Sequence, residues 1–326
     1  MTQAITIGVP VRNESFTIST TLDSVLRQNR QLELEVIVCA NACTDNGATE
    51  RIVSEIAADD RRVKLINSEP GKPNAWNKII DTAKYNDILF IDGDVVVGNG
   101  SVHTIIDFMN KGKYIAASSK MKKILKSKNP FGMVLNYPLT QHNFHGICGR
   151  MYSLRRSELL TEMLSKGYKK MPEDLISEDT WISLILEKRQ KGKVVERKWG
   201  YCQNAIVYHQ PPNKYDRFKR AINMAEGSLQ LSLEYPELGY TVITEKTLIQ
   251  RLSRRFSQWK NYNFKQKLVI PINFIKKRIK YEYFENRMAM KIAKRNYEQG
   301  KHTNIWHESI STKQRLPLEL YLNLIK

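Results

Sequence analysis

The sequence is short of acids, has few cysteines and lacks any long apolar run. Against 52 Lys and Arg it sets only 33 Asp and Glu, a formal charge of +19 over 326 residues. So large a deficit of acids calls for an anionic partner: nucleic acid, acidic lipid or a phosphorylated substrate. The four cysteines, Cys39, Cys43, Cys148 and Cys202, form no CxxC pair, and no histidine lies near the first two. They read as small buried hydrophobes in a reducing compartment. No stretch reaches the roughly 18 apolar residues that cross a bilayer. The best candidate, Leu268–Ile275, is interrupted by Pro271 and Asn273. The opening MTQAITIGVPV has no charged region ahead of its apolar part and runs at once into Arg-Asn-Glu, so it does not read as a signal peptide. The expectation is a soluble or peripheral cytoplasmic protein.

What is present is a chain long enough to bury a core, with 41% hydrophobic and 26% charged residues. Its charge is divided. Residues 1–100 hold 10 basic and 14 acidic side chains, whereas residues 251–300 hold 14 basic and 3 acidic. An acidic front and a basic rear imply two jobs, and the expected division is 1–230 for a catalytic domain and 231–326 for a basic, mainly helical region.

The first hundred residues alternate two hydrophobic periods. Continuous apolar runs at Ala4–Val11, Glu35–Cys39, Val63–Ile66 and Asp87–Ile91 suit buried strands, and Glu14–Gln28, Thr49–Ala58 and Lys72–Ala83 have helical spacing. Strands alternating with helices predict βαβ units and a mostly parallel sheet, whose ligands bind beyond the carboxyl ends of the strands. Farther on, a helix is expected near Ser101–Asn110, a strand near Tyr114–Ser118 and a polar loop near Lys120–Asn129. A helix follows Glu178-Asp179, a strand spans Ala205–Tyr208 and ends at His209, and the chain reads as helical and basic from Tyr215.

The strongest chemical signal is the strand ILFI running into Asp92-Gly93-Asp94. Two carboxylates one small residue apart can face one crevice, and Mg²⁺ or Mn²⁺ commonly takes one or two carboxylates plus phosphate oxygens. Gly93 allows close approach of the backbone to a ligand. An ordinary solvated turn has the same composition, so the company of this motif matters. PVRNE at Pro10–Glu14 ends the first strand and CANACTDNG at Cys39–Gly47 ends the second. GKPNAWN at Gly71–Asn77 stands before the third helix, and SED occupies Ser177–Asp179.

In this order and spacing, over about residues 4–230, the chain resembles the family 2 glycosyltransferases, inverting GT-A enzymes that use nucleotide-diphosphate sugars. The resemblance implies an α/β GT-A fold, Rossmann-like, with a mostly parallel central sheet flanked by helices; the basic helical C-terminal appendage is extra. It implies a donor site from Pro10, Arg12, Asn13, Glu14, Asn41 and Asp45, with Lys72 near the base or phosphates. Asp92 and Gly93 would meet the ribose or metal, and Asp94 would ligate Mn²⁺ or Mg²⁺, with His209 completing the sphere. Glu178 and Asp179 match the acceptor-side acid motif, with Asp179 the general base. Phe144–Leu159 would line sugar and acceptor, Gly146 and Gly149 leaving room for substrate, and Arg155 and Arg156 either fold over the phosphates or start a helix. The chain departs from many relatives in two places. Ala40 and Asn41 stand where acids read uracil, which leaves the base open: UDP is still the expected donor nucleotide, with GDP and dTDP as alternatives. The QxxRW motif of processive relatives is absent near Tyr215–Gly227, which holds Arg217 and Arg220 instead.

Those roles also follow from chemistry. Sugar transfer needs a neutralised diphosphate leaving group and a base for the acceptor hydroxyl, on the face opposite the diphosphate. The reading is therefore a metal-dependent, inverting transferase moving one sugar from a nucleotide-diphosphate donor to a glycan or lipid-linked hydroxyl acceptor, in cell-surface polysaccharide or glycolipid assembly. Residues 246–296 interleave basic residues with aromatics. That mixture suits the headgroup region of an anionic membrane, the backbone of a nucleic acid, or a helical appendage packed on the core. Nucleic acid is not the favoured partner, because the acid set is intact. A nucleotidyltransferase would need a Gly-rich basic loop after the first strand, where PVRNE stands.

Overall fold

The computed structural model describes residues 3–28, 32–124, 146–190, 193–210, 214–240, 272–300 and 321. Apolar runs become strands and amphipathic runs become helices in strict alternation at the start. The order is β1 (Ala4–Val11), α1 (Ile18–Leu26), β2 (Glu33–Asn41), α2 (Ala48–Asp59), β3 (Val63–Ser68), α3 (Lys72–Thr82) and β4 (Asp87–Ile91). A three-residue strand, β5 (Val95–Val97), follows the DGD turn, and then come α4 (Ser101–Gly112) and β6 (Ala116–Lys123). Next are β7 (Met151–Arg155), α5 (Arg156–Ser165), α6 (Glu178–Ile185), the hairpin β8 (Glu187–Gln190) and β9 (Lys193–Arg197), and β10 (Trp199–His209).

Eight strands form one sheet in the order β3-β2-β1-β4-β7-β6-β10-β5. β1 runs parallel to β2 and β4, β2 to β3, and β6 to β10, whereas β7 and β5 are antiparallel to their neighbours. Ile5, Ile7, Val9, Val36, Val38, Leu89 and Ile91 are buried with Ile18, Leu22 and Val25 of α1 on one core face. The carboxyl ends of β1, β2 and β4 therefore share one edge, and the loops that leave them are the PVRNE, CANACTDNG and DGD segments.

Three departures from the sequence reading have physical causes. β6 continues to Lys123, through part of the expected polar loop, because β10 supplies a partner as far as His209; residues 125–129 lie outside the described residues. β10 starts at Trp199, well before Ala205, with Gln203 and Asn204 exposed where the ladder bulges. Met151–Arg155 is an internal strand, since it bridges β4 and β6. β10 also carries a bulge: Cys202 faces Ser119 while Ile206 faces Lys120, so Gln203, Asn204 and Ala205 are surplus to the ladder.

The described residues fall into two compact units, the first holding those up to Lys123, 146–210 and Tyr321, the second holding Ile124 and 214–300. The second holds α7 (Lys214–Leu233), a 3₁₀ turn at Pro236–Leu238 and α8 (Ile272–Glu298). Ala225 and Leu229 of α7 pack on Ala293 of α8, with Met290 and Tyr297 against them. Asn296 Nδ2 donates to Glu226 Oε1 at 2.7 Å. Among the described residues no helix is long and apolar enough to cross a membrane. Of the basic segment 246–296, residues before 272 lie outside the described residues.

Candidate active site

The loops after β1, β2 and β4 are tied to one another. Asn13 is left-handed (φ 55°), and its amide makes a reciprocal pair with Thr44: Asn13 Nδ2 donates to Thr44 Oγ1 (3.0 Å), and Thr44 N donates to Asn13 Oδ1 (2.7 Å). Asp45 Oδ2 accepts from the amide and hydroxyl of Thr49 at the start of α2. The hydroxyls of Thr17 and Thr21 lie 3.1 and 3.0 Å from the Gly93 carbonyl. A Cβ on Gly93 would stand 2.7 Å from Val11 Cγ1 and 3.4 Å from Glu14 Cγ. The glycine thus lets the DGD turn press against the first loop. Arg12 is buried, and burial pulls its guanidinium pKa down. Pro10 ends this loop's strand, half-buried. Asn41 is also buried, and its Oδ1 accepts from Gly71 N at 2.8 Å, which positions the GK segment.

Lys72 joins the two ends of the site. Its ammonium lies 2.9 Å from Asp92 Oδ1 and 2.5 Å from Glu178 Oε1, with 9% of its side chain exposed. The sequence allowed a solvated helix-start lysine; the structure buries it between acids from two distant stretches. Burial works against the charged form, but Asp92 and then Glu178 reverse that and hold the pKa well above the ordinary lysine value.

Beside this bridge sits Asp179. Its Oδ2 accepts from Gly149 N (3.0 Å) and its Oδ1 from Thr180 N (2.7 Å). Burial, with the neighbouring Glu178 carboxylate adding to it, raises its pKa from 3.8 to about 6; Lys72 and the two amides oppose the shift. Ser177 precedes the helix without a side-chain cap, so Asp179, with its bond to Thr180 N, serves that end. A Cβ at Gly149 would meet Asp179 Oδ2 at 2.8 Å, and one at Gly146 would meet Ser183 Oγ at 3.3 Å. These glycines make room for the helix that carries the acids.

The segment around them lies within Phe144–Leu159, expected from the resemblance to line sugar and acceptor, but its individual contacts were not foreseen. Ile147 N donates to Ser183 Oγ and Cys148 N to Ser118 Oγ. Arg150 gives its carbonyl to Asp92 N (3.1 Å), and its guanidinium lies 3.7 Å from Asp94 Oδ1. The 149–150 dipeptide therefore touches both Asp179 and the DGD turn. Tyr152 stacks on Phe90, which stacks on Trp76, and Trp76 Nε1 donates to Tyr152 Oη at 3.0 Å. Nothing in spacing or composition marks Arg150 or Tyr152, which matter through tertiary position. Arg155 and Arg156 stand elsewhere. Arg155 is level with Asp87, at the far end of β4 from Asp92, and Arg156 donates to the Ala83 carbonyl. Of the two alternatives the helix start holds, and the phosphate role is corrected. Arg217 and Arg220 fall on α7, in the second unit.

The donor set for a divalent cation is hard oxygen plus imidazole. β5 pairs with β10 so that His209 is opposite Val95, one residue from Asp94. His209 Nδ1 lies 3.0 Å from the Gln210 carbonyl, which fixes the proton on Nδ1 and the lone pair of the neutral ring on Nε2. That chemistry fits Mn²⁺ or Mg²⁺. The spacing is more open than a closed cage. The only group of three His, Cys, Asp or Glu atoms within 4.8 Å among the described residues is Cys43, Asp45 and Glu50. There burial pushes the Cys43 thiol to about 11, keeping it protonated and a poor ligand. Asp92 already holds Lys72, and Asp94 stands 3.7 Å from the Arg150 guanidinium, so a cation would join or displace a basic partner at either carboxylate.

The sequence model described as glycosyl transferase family 2 matches residues 6–163. The chain is similar in fold to mannosyltransferase PcManGT from Pyrobaculum calidifontis, solved with GDP-Man and Mn²⁺: TM-score 0.51, 16% identity, covering 91% of this chain and 74% of that one. It is also similar to S. aureus TarS in complex with UDP-GlcNAc, with TM-score 0.43, 18% identity and 92% of each chain covered. No protein of curated function matches the sequence.

Proposed function

Residues 6–163 make this chain a member of glycosyl transferase family 2, and on that premise we propose an inverting, metal-dependent enzyme that transfers a single sugar from a nucleotide-diphosphate donor. UDP-sugar is the favoured donor. The acceptor is a hydroxyl on a glycan or lipid-linked carrier, in the assembly of a cell-surface polysaccharide or glycolipid. The enzyme works in the cytoplasm, with its basic second unit at the inner face of the cell membrane.

The observation that carries the reading is the Lys72 bridge from Asp92 to Glu178, which joins the DGD turn to the helix bearing Asp179. In the proposed reaction Arg12, Asn13, Glu14 and Asp45 frame the nucleotide, with Asn41 behind them. Lys72 holds Asp92 toward the ribose. Asp94 and His209 hold the cation, which supplies Lewis-acid neutralisation of the diphosphate when bound. Asp179, poised near neutrality, takes the acceptor O–H proton while the acceptor oxygen bonds to the anomeric carbon and the carbon–oxygen bond to the diphosphate breaks. Gly149 N and Thr180 N fix the base so that only one direction of attack is served. The test is a thermal-shift screen of nucleotides and nucleotide sugars with and without Mn²⁺. The true donor raises the melting point by mass action, more so with metal; no shift with any nucleotide sugar defeats the proposal.

A further inference from the structure

The exposed large apolar side chains include three on one helix: Tyr281 (58% exposed), Phe284 (53%) and Met288 (56%). Their spacing of three and four residues puts them on one face of α8. Ala293, nine residues on from Phe284 and half a turn round the helix, is fully buried against α7. Lys280, Arg287 and Lys291 are exposed along one side of the apolar stripe, Arg295 continues it toward the helix end, and half-buried Glu285 stands on its other side. The helix thus has a face that packs and another that shows aromatics and a thioether beside a row of cations.

We infer that this second face of α8 is a peripheral docking surface for a bilayer with anionic headgroups. The inference rests on the membrane-linked acceptor proposed above and gives that setting a physical anchor. Charge complementarity selects the occupant: the cations meet phosphate headgroups, and the central stripe enters the headgroup–acyl boundary. A nucleic acid would use the cations and could stack on Tyr281 and Phe284, but the exposed thioether of Met288 adds apolar area that a bilayer rewards and a base stack does not. A helix face is also convex, which suits a flat layer better than it suits a strand lying in a groove.

The experiment uses the full chain and vesicles free of acceptor lipid, one set of phosphatidylcholine and another with about a third phosphatidylglycerol. Wild type should sediment with the anionic vesicles, weakly with the neutral ones, and less as salt rises. One headgroup-bound cation is worth about fivefold in binding, so Lys280→Glu with Lys291→Glu should weaken association by more than tenfold. Phe284→Ser with Met288→Ser should lower it comparably. All four positions are exposed, so unchanged melting points show that the variants fold. Phe284→Trp gives a second readout: relative to wild type, it should add an emission that shifts to the blue on anionic vesicles and that brominated lipid quenches. Wild-type association by both double variants, or no added blue shift from Phe284→Trp, overturns the inference. So does tighter binding of the chain to duplex DNA than to vesicles, or a dimer that Phe284→Ser with Met288→Ser splits without touching vesicle binding. Nucleotide-sugar melting shifts are measured on the same samples without lipid. A lost vesicle signal with those shifts intact sinks this surface and spares the transferase; vesicle binding without them does the reverse.

Discussion

Replacing Asp179 by Asn tests the electrostatics of the site directly. The carboxyl titrates near 6 in the folded chain against 3.8 for the ordinary group, because it is buried and Glu178 is adjacent. Between those values the folded state binds a proton that the unfolded chain has released, so stability falls as pH rises through the window. Two pH units correspond to about 3 kcal/mol. Asparagine cannot ionise and escapes this loss. It also turns one of the two accepting oxygens, facing Gly149 N or Thr180 N, into a donor, at a cost of about 1–3 kcal/mol that does not change with pH. The stability of Asp179→Asn relative to wild type should therefore rise by about 3 kcal/mol between about pH 4 and pH 7.5, whatever its absolute offset. Urea titrations across that range measure it, and the difference in melting points should move by about 5–10 °C. Transfer by the variant should be lost while donor binding stays. A stability difference that is flat with pH would refute the argument, since Asp179 would then titrate as an exposed acid.

Lys72→Met removes the cation shared by Asp92 and Glu178 and should destabilise the fold by about 3–5 kcal/mol in chemical denaturation. It should also move the acid limb of the rate profile to higher pH, because Lys72 is what holds Asp179 down. Gly149→Ala puts a methyl 2.8 Å from Asp179 Oδ2, so on the proposed role of that carboxylate the turnover number should fall while donor affinity, read by calorimetry, holds. Asp94→Ala should abolish Mn²⁺-dependent donor binding, with manganese paramagnetic resonance as the check; unchanged manganese-dependent affinity would remove Asp94 from the metal site.

The first four strands and three helices were legible because each buries an apolar run of the right period, and β4 runs from Asp87 to Ile91 as its sequence suggests. The motif loops were legible because parallel strands end on one edge. β7 was not, since MYSLR looks like a loop edge until β4 and β6 flank it. The hairpin Glu187–Arg197 was hidden by its charge: Arg189 and Arg197 sit on the buried carboxylate of Glu187, a pairing no periodicity reveals. The same holds at the site. Lys72 and Glu178 could be named from motifs, but their 2.5 Å contact comes from α3 and α6 converging. Arg150 carries no local mark and acquires its place only when its backbone meets Asp92.

The surplus triplet in β10 sets how this molecule can change. Strand neighbours alternate faces, so an insertion or deletion that alters pairing by one residue turns every following side chain over. Because Gln203–Ala205 lie outside the ladder, a one-residue deletion there can be taken up by the bulge with Ile206–His209 still on Lys120–Lys123 and His209 still on its own face. The strand can thus change length several residues before His209 without turning that side chain over.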